Sequence, residues 1–404
     1  MVPISLISTA ALLRERGHEV ALTEAIARDL SIEEVLGEIE EFSPSLVLVN
    51  TSTVSFRGDA DAAARVKKAL PGAFVAAYGT HVTALPEESL KESAFDGVIR
   101  REPEATAAAL ADVLAAGGPL EEVTGLSFRR DWSSPEGPGP IISNPDRPFI
   151  EDLDSLPIPA RDLVDHSQYP APLSQRPHTL VSTSRGCPYP CVFCTARLYY
   201  GTRLRLRSPE SVGEEIGKIV EEEGLDLFTF WSDTFTLNRE HVVAICREIL
   251  RRKLSIDWMC NSRVDRVDLD LLRLMAAAGC RVISFGVESG SQAVLDNVKK
   301  GITVEQVEQA FAWCRQAGIK SAAHLILGLP GETRATIRET ARLSRRIGAD
   351  YVQFYGAVPF PGTDFYRQAR EKGWLLADSW DDFEINRDIV STPDLPVEEL
   401  RKCR

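Results

Sequence analysis

The chain has 404 residues, 44% of them hydrophobic and 26% charged, with a formal net charge of -13. That length and composition permit a substantial core and two or three domains, while the acidic balance excludes broad, phosphate-led nucleic-acid binding, which draws its affinity from clustered Lys and Arg. No run approaches ~20 apolar residues, and the opening MVPISLISTAALLRERGHEV lacks a basic n-region and a small-residue cleavage site, so the expectation is a cytoplasmic globular protein with no membrane span.

From residue 18 to about 130, short apolar runs alternate with helical patterns. The strand candidates are HEVALTEA, SLVLVN (45–50), AFVAAYG (73–79) and DGVI (96–99), with helices expected from Asp59, Glu87 and Glu104. Such alternation predicts a parallel sheet with crossover helices. Residues 132–160 then become rich in Pro, Gly and Asp, which predicts an extended connection. From 179 onward TLVSTS, LFTFWS, IDWMCN, RVISFGV, SAAHLIL and YVQFYGAV recur at regular spacing, the first five each followed by a helical pattern. Six such units are too few for an eight-unit barrel and predict a partial one. The expected division is therefore a doubly wound, Rossmann-like α/β domain over 1–131, a linker over 132–175, a partial (β/α)6 barrel over 176–362 and an extension over 363–404.

The eight cysteines are too few and too unevenly spread for a disulfide framework and fit reduced thiols with one metal centre. Cys246 in HVVAICREIL and Cys314 in QAFAWCRQAG fall in helical patterns, where a thiol packs as a small hydrophobe. Cys187, Cys191 and Cys194 stand apart, three within the eight residues CPYPCVFC that follow the first strand of the second series. A structural zinc takes four protein ligands, and the next cysteine, Cys246, is distant. An iron-sulfur cube held by three cysteines keeps one iron open for a further ligand.

The C-x-x-x-C-x-x-C loop with Phe193 before its last cysteine resembles that of the radical S-adenosylmethionine (SAM) enzymes, in which the open iron chelates the amino and carboxylate groups of SAM. The resemblance implies a 4Fe-4S cluster on Cys187, Cys191 and Cys194, and SAM contacts from Phe193, from Ser232 and Asp233 in FWSDTFTLN, from Asn261 and Arg263 in CNSRVD, from Glu288 in ISFGVESGS and from Leu327 in HLILGLPGET. Arg263 has the bidentate fork that suits a carboxylate. Without the cysteine loop, Asp233 reads as a helix cap and Arg263 as half of a surface ion pair. Arg203, Arg205 and Arg207 share one face of an extended YGTRLRLRS and meet either an anionic ligand group or solvent.

An α/β domain ahead of such a barrel serves as a scaffold, a nucleotide site or a cobalamin site. Here NTSTVSFRGD, YGTHVTALPEESL and DGVIRREPEAT resemble the cobalamin-binding domain of cobalamin-dependent radical SAM proteins. The resemblance implies cobalamin contacts from Thr51, Ser52, Thr53, Val54, Gly79, Thr80, His81, Val82, Thr83 and Glu102, small and hydroxyl groups pressed against a corrin and its amides. RREPE at 100–104 stands where the family has a glycine-containing turn, and a helical pattern opens the chain where the family has a strand. The chain lacks the D-x-H-x-x-G motif of proteins that ligate cobalt through histidine, so His81 is expected at the cofactor's periphery or as a helix cap.

Both cofactors together imply a class B methyltransferase acting in an anaerobic cell. A 5'-deoxyadenosyl radical takes hydrogen from an unactivated carbon, which no side-chain base can do, and methylcobalamin then supplies methyl. The implied partners are SAM, cobalamin, an electron donor of flavodoxin or ferredoxin type, and a methyl acceptor that is a peptide or protein, such as methyl-coenzyme M reductase, or a small molecule. A cobalamin-dependent oxidative cyclase or rearrangement enzyme, and a non-enzymatic cobalamin or iron-sulfur carrier, are the alternatives. Methylthiotransferases are disfavoured because they carry three further cysteines in their first domain, and here none precedes Cys187.

Overall fold

The computed structural model describes residues 2–132, 139–171 and 174–403. The chain forms two compact units, one of residues 1–169 with 198–200 and 379–381, the other of the remainder. Among the described residues no helix is long and apolar enough to cross a membrane.

In the first unit the elements run α1 (Ile4–Glu15), α2 (Ile32–Phe42), β1 (Leu46–Asn50), α3 (Phe56–Ala69), β2 (Phe74–Tyr78), α4 (Thr80–Ala84), α5 (Pro86–Lys91), β3 (Gly97–Ile99), α6 (Glu104–Ala116), β4 (Leu126–Arg129) and β5 (Ile141–Ser143). The sheet order is β1-β2-β3-β4-β5, with β1 to β3 parallel and β4 and β5 antiparallel. Strand β2 reads FVAAY because both of its faces are covered. Val75 and Ala77 meet Phe56, Ala60 and Ala63 of α3, while Phe74, Ala76 and Tyr78 meet Ala107 and Leu110 of α6. Helix α2 is started by a capping box, the Ser31 hydroxyl accepting from the Glu34 amide and the Glu34 carboxylate accepting from the Ser31 amide.

Two expectations change here. HEVALTEA forms no strand: a strand needs a ladder partner, and β1 pairs only with β2, so Val20 packs against the cluster of Leu13, Ala108 and Ala111 without joining the sheet. The Pro- and Gly-rich stretch is more than a connection, because it supplies β5 and stays with the first unit to Tyr169. Arg100 fixes it through Asp146 at 2.8 Å, and the Asn144 amide donates to the carbonyls of Leu120 and Val123 at 2.8 and 2.9 Å. Residues 133–138 of WSSPEGPGP and 172–173 of the expected linker lie outside the described residues.

The second unit opens with β6 (Thr179–Ser182), β7 (Ser184–Arg185), the start of α7 (Ala196–Tyr200), whose last three residues count with the first unit, β8 (Arg205–Leu206) and α8 (Pro209–Lys218). Then follow β9 (Leu227–Trp231), α9 (Arg239–Arg251), β10 (Asp257–Ser262), α10 (Leu269–Ala277), β11 (Cys280–Glu288), α11 (Gln292–Asn297), α12 (Val304–Ala317), β12 (Lys320–Leu327), α13 (Arg334–Arg346), β13 (Tyr351–Gly356), α14 (Asp364–Glu371) and α15 (Val397–Cys403). Strands β6-β9-β10-β11-β12-β13 are all parallel, in sequence order, with the β7-β8 pair set apart. This is the expected six-unit partial barrel, and its helices cover an aromatic core. Trp258 is fully buried, stacked on Phe230 with ring centroids 4.7 Å apart, and donates its indole N–H to the Ala278 carbonyl. In such a sheet the loops beyond the carboxyl ends of the strands carry the chemistry.

Candidate active site

The three-cysteine loop leaves the sheet through β7. Gly186 adopts φ +93°, a left-handed turn that favours glycine, and its amide donates to Asp233 Oδ2 at 3.1 Å. The loop is tied at both ends, the Cys187 amide donating to the Gly201 carbonyl and the Val192 amide to the Val298 carbonyl, each at 3.1 Å. All three thiols are free, Cys187 buried, Cys191 half-buried and Cys194 exposed. No three His, Cys, Asp or Glu side chains among the described residues converge on one ion. In an iron-sulfur cube each thiolate takes its own iron, so three thiols need not meet on a single ion. The Ala196 amide approaches Cys194 Sγ at 3.5 Å, the kind of donor that a bound thiolate accepts.

The neighbouring strand ends bring the expected polar groups together. After β9, Ser232 accepts from the Ser184 hydroxyl at 2.9 Å. Burial pushes the Asp233 carboxyl up to about 6, against the pull of the Gly186 amide, Arg205 and Arg185. At the end of β11, Glu288 has φ +64° and accepts from Lys300 Nζ at 2.6 Å, both residues being buried. A Cβ on Gly286 would lie 2.5 Å from Glu288 Oε1 and 2.8 Å from Lys300 Nζ, so the ion pair occupies the space that this glycine leaves. Asn261 sits exposed on β10. Phe193 lines a cavity of about 330 Å³ with Ile326, Leu329, Tyr355, Ala357 and Val358. That volume and its apolar walls suit a flat purine.

Two of the expected contacts are placed differently. Leu327 is buried against Ile337, Leu395 and Leu400, and its neighbour Ile326 faces the cavity, because side chains alternate along β12. Arg263 spends its fork on Asp265, at 2.8 and 3.2 Å, and lies 3.5 Å from the Tyr189 ring. Sequence reasoning missed Lys300, Tyr355 and His324. The last donates or accepts through Nδ1 with the Tyr355 hydroxyl at 2.9 Å. The alternation of YVQFYG could have marked Tyr355; nothing local marks Lys300. Arg205 is buried and Arg207 reaches the Ser182 carbonyl at 2.9 Å, so these two are not merely solvated.

In the first unit, loops after β1, β2 and β3 meet. Gly79 has φ +137°, and a Cβ there would fall 1.9 Å from the Thr51 carbonyl oxygen, so the two loops approach closely only through glycine. The Ser52 amide donates to Ser55 Oγ at 3.0 Å, the Arg101 amide to Thr83 Oγ1 at 2.9 Å and the Ile150 amide to Glu102 Oε2 at 2.9 Å. Asp59, bonded to Thr51 and Ser55, has a carboxyl raised by burial and an Oδ2 with no partner among the described residues. The amide side chains of a corrin are donors that fit this acceptor. Thr51 and Thr53 are buried, Thr80 is half-buried and Val54 is exposed. Val82 differs from expectation, packed in the core with Leu90 and Phe95. His81 is 1% exposed, held between the rings of Phe56 and Trp380, with Nδ1 3.3 Å from Thr53 Oγ1. Burial pushes its pKa down to about 4, so the ring is neutral and committed to packing.

Residues 181–344 match the radical SAM superfamily model and residues 1–111 the B12-binding domain model. An uncharacterised methyltransferase of Pyrococcus horikoshii is 33% identical over 402 residues, 99% of this chain and 85% of that protein. The anaerobic magnesium-protoporphyrin IX monomethyl ester cyclase of Rubrivivax gelatinosus is 28% identical over 90% of this chain and 65% of its own length. The solved radical SAM methyltransferase TsrM from Kitasatospora setae has the same fold, with a TM-score of 0.80 at 20% identity, covering 100% of this chain and 85% of that one. Together the two domains define an enzyme that works with SAM, a 4Fe-4S cluster and cobalamin. The chain belongs to the cobalamin-dependent radical SAM methyltransferases.

Proposed function

We propose that the protein is a C-methyltransferase that places methyl on an unactivated carbon of its acceptor. The observation that carries this reading is the clustering of three free thiols, the buried Glu288–Lys300 pair and the Phe193-lined cavity at the carboxyl ends of one parallel barrel. When bound, the cluster, SAM and cobalamin supply a 5'-deoxyadenosyl radical and a transferable methyl group. Cys187, Cys191 and Cys194 hold the iron. Glu288 and Asp233 accept from the SAM ammonium, and Lys300 keeps the Glu288 carboxylate aimed when SAM is absent. Phe193, Ile326 and Tyr355 enclose the purine and keep water from the radical. Thr51, Thr53, Gly79 and Asp59 form the corrin side of the first unit.

The test is anaerobic incubation of the reconstituted protein with SAM, cobalamin and a reductant. Formation of 5'-deoxyadenosine and, with acceptor, S-adenosylhomocysteine is expected. 5'-Deoxyadenosine without S-adenosylhomocysteine would favour a non-methylating reaction of the cyclase kind, and absence of both would reject the radical reading. Candidate peptides, proteins such as methyl-coenzyme M reductase, and small metabolites are then screened by mass spectrometry for a gain of ~14 Da, the mass of one methylene. The electron donor is proposed to be a flavodoxin or ferredoxin, tested by replacing the chemical reductant with each.

A further inference from the structure

We propose that the turn Arg263-Val264-Asp265-Arg266, directly after β10, is a clamp that holds the cluster loop through Tyr189 and so decides how firmly the loop keeps its iron. The proposal rests on the cluster reading above and goes beyond it by assigning Arg263 to the loop in place of SAM.

Tyr189 is the middle residue between Cys187 and Cys191 and is flanked by Pro188 and Pro190. The Arg263 Cζ lies 3.5 Å from the centre of its ring, and Arg266 Nε donates to its hydroxyl at 2.5 Å. Arg263 is itself fixed: Nε and one terminal nitrogen meet the two Asp265 oxygens at 2.8 and 3.2 Å, and that nitrogen reaches the Gly301 carbonyl at 3.3 Å. Its residue is 4% exposed. Nε and that terminal nitrogen hold the guanidinium in place on Asp265 and Gly301, and Tyr189 covers its flat face.

A guanidinium withdrawn from water gains more from an aromatic face than an exposed one does. The loop has need of such a hold. Between Cys187 and Cys191 the two prolines offer no amide, and three thiolates must be kept at fixed spacing against the conformational entropy of a loop. Holding the ligating residues with a rigid neighbour is what keeps a metal site tight. The charge matters as well. Arg263 lies within electrostatic reach of Cys191, and a buried cation there favours the reduced cluster, which carries one more negative charge.

The experiment uses the full chain, reconstituted anaerobically with iron and sulfide, and follows iron release to bathophenanthroline, a ferrous chelator. Tyr189→Leu and Arg263→Gln are expected to release iron about tenfold faster than wild type, while Tyr189→Phe, which keeps the ring, stays close to wild type. Cobalamin content and thermal midpoint serve as controls, and Arg266→Gln, a change at an exposed residue that removes the same hydroxyl bond as Tyr189→Phe, is expected to stay close to wild type as well. In an electron-paramagnetic-resonance redox titration, Arg263→Gln shifts the cluster midpoint to more negative potential and Tyr189→Phe does not. Wild-type iron retention in Tyr189→Leu, or equal loss in Tyr189→Phe and Tyr189→Leu, would overturn the clamp. A wild-type protein that takes up no iron would overturn the cluster reading and the clamp with it.

Discussion

Glu332 gives the sharpest stability prediction. It lies between β12 and α13, is 0% exposed, and accepts through Oε2 from the Gly328 amide, while Oε1 has no partner among the described residues. Burial pushes its carboxyl from 4.5 up to about 7, against the pull of the Gly328 and Leu329 amides. A carboxyl whose folded pKa is raised binds its proton more tightly in the folded state. Its cost is absent below the unfolded value, grows between the two and is complete above the folded one. The gap between 4.5 and about 7 corresponds to ~3 kcal/mol. Glu332→Gln keeps the shape and an acceptor for the Gly328 amide but cannot ionise. In urea unfolding of the unloaded protein from about pH 5.5 to about pH 8, the wild type should lose ~2 kcal/mol more stability than the variant. Parallel stability curves for the two proteins would refute the reasoning, because they would mean that Glu332 titrates alike in the folded and unfolded chain.

Three further outcomes follow from the site. Cys191→Ala should abolish bound iron and SAM cleavage and leave cobalamin bound, since the thiols and the corrin loops belong to different units; iron analysis and the visible cobalamin spectrum check both parts. Gly286→Ala pushes a methyl group into the Glu288–Lys300 pair and should weaken SAM binding by at least about tenfold, read by equilibrium dialysis, with unchanged iron content. His81 is packed between Phe56 and Trp380, so isotopic labelling of histidine should leave the paramagnetic cob(II)alamin spectrum of the loaded protein unchanged; a histidine-dependent splitting would show that the ring had left its cage to ligate cobalt.

The sequence by itself determined the six barrel strands, the sheet of the first unit from β1 to β3, and the cysteine loop, because each is written in local periodicity or local spacing. FVAAY and DWMCNS state their own burial within a few residues. What only the tertiary structure decided was partnership. HEVALTEA has strand composition and no strand to pair with, while the Pro-rich stretch has loop composition and contributes β5. Lys300 is one of two adjacent lysines on the chain and becomes a site residue only because β11 ends with Glu288 beside it. Arg263 points to a carboxylate in either reading, but whether that carboxylate is a ligand's or Asp265's depends on which groups the fold places within 3 Å. Burial and pairing energies come from neighbours distant in the chain, and those neighbours exist only once the strands are in register.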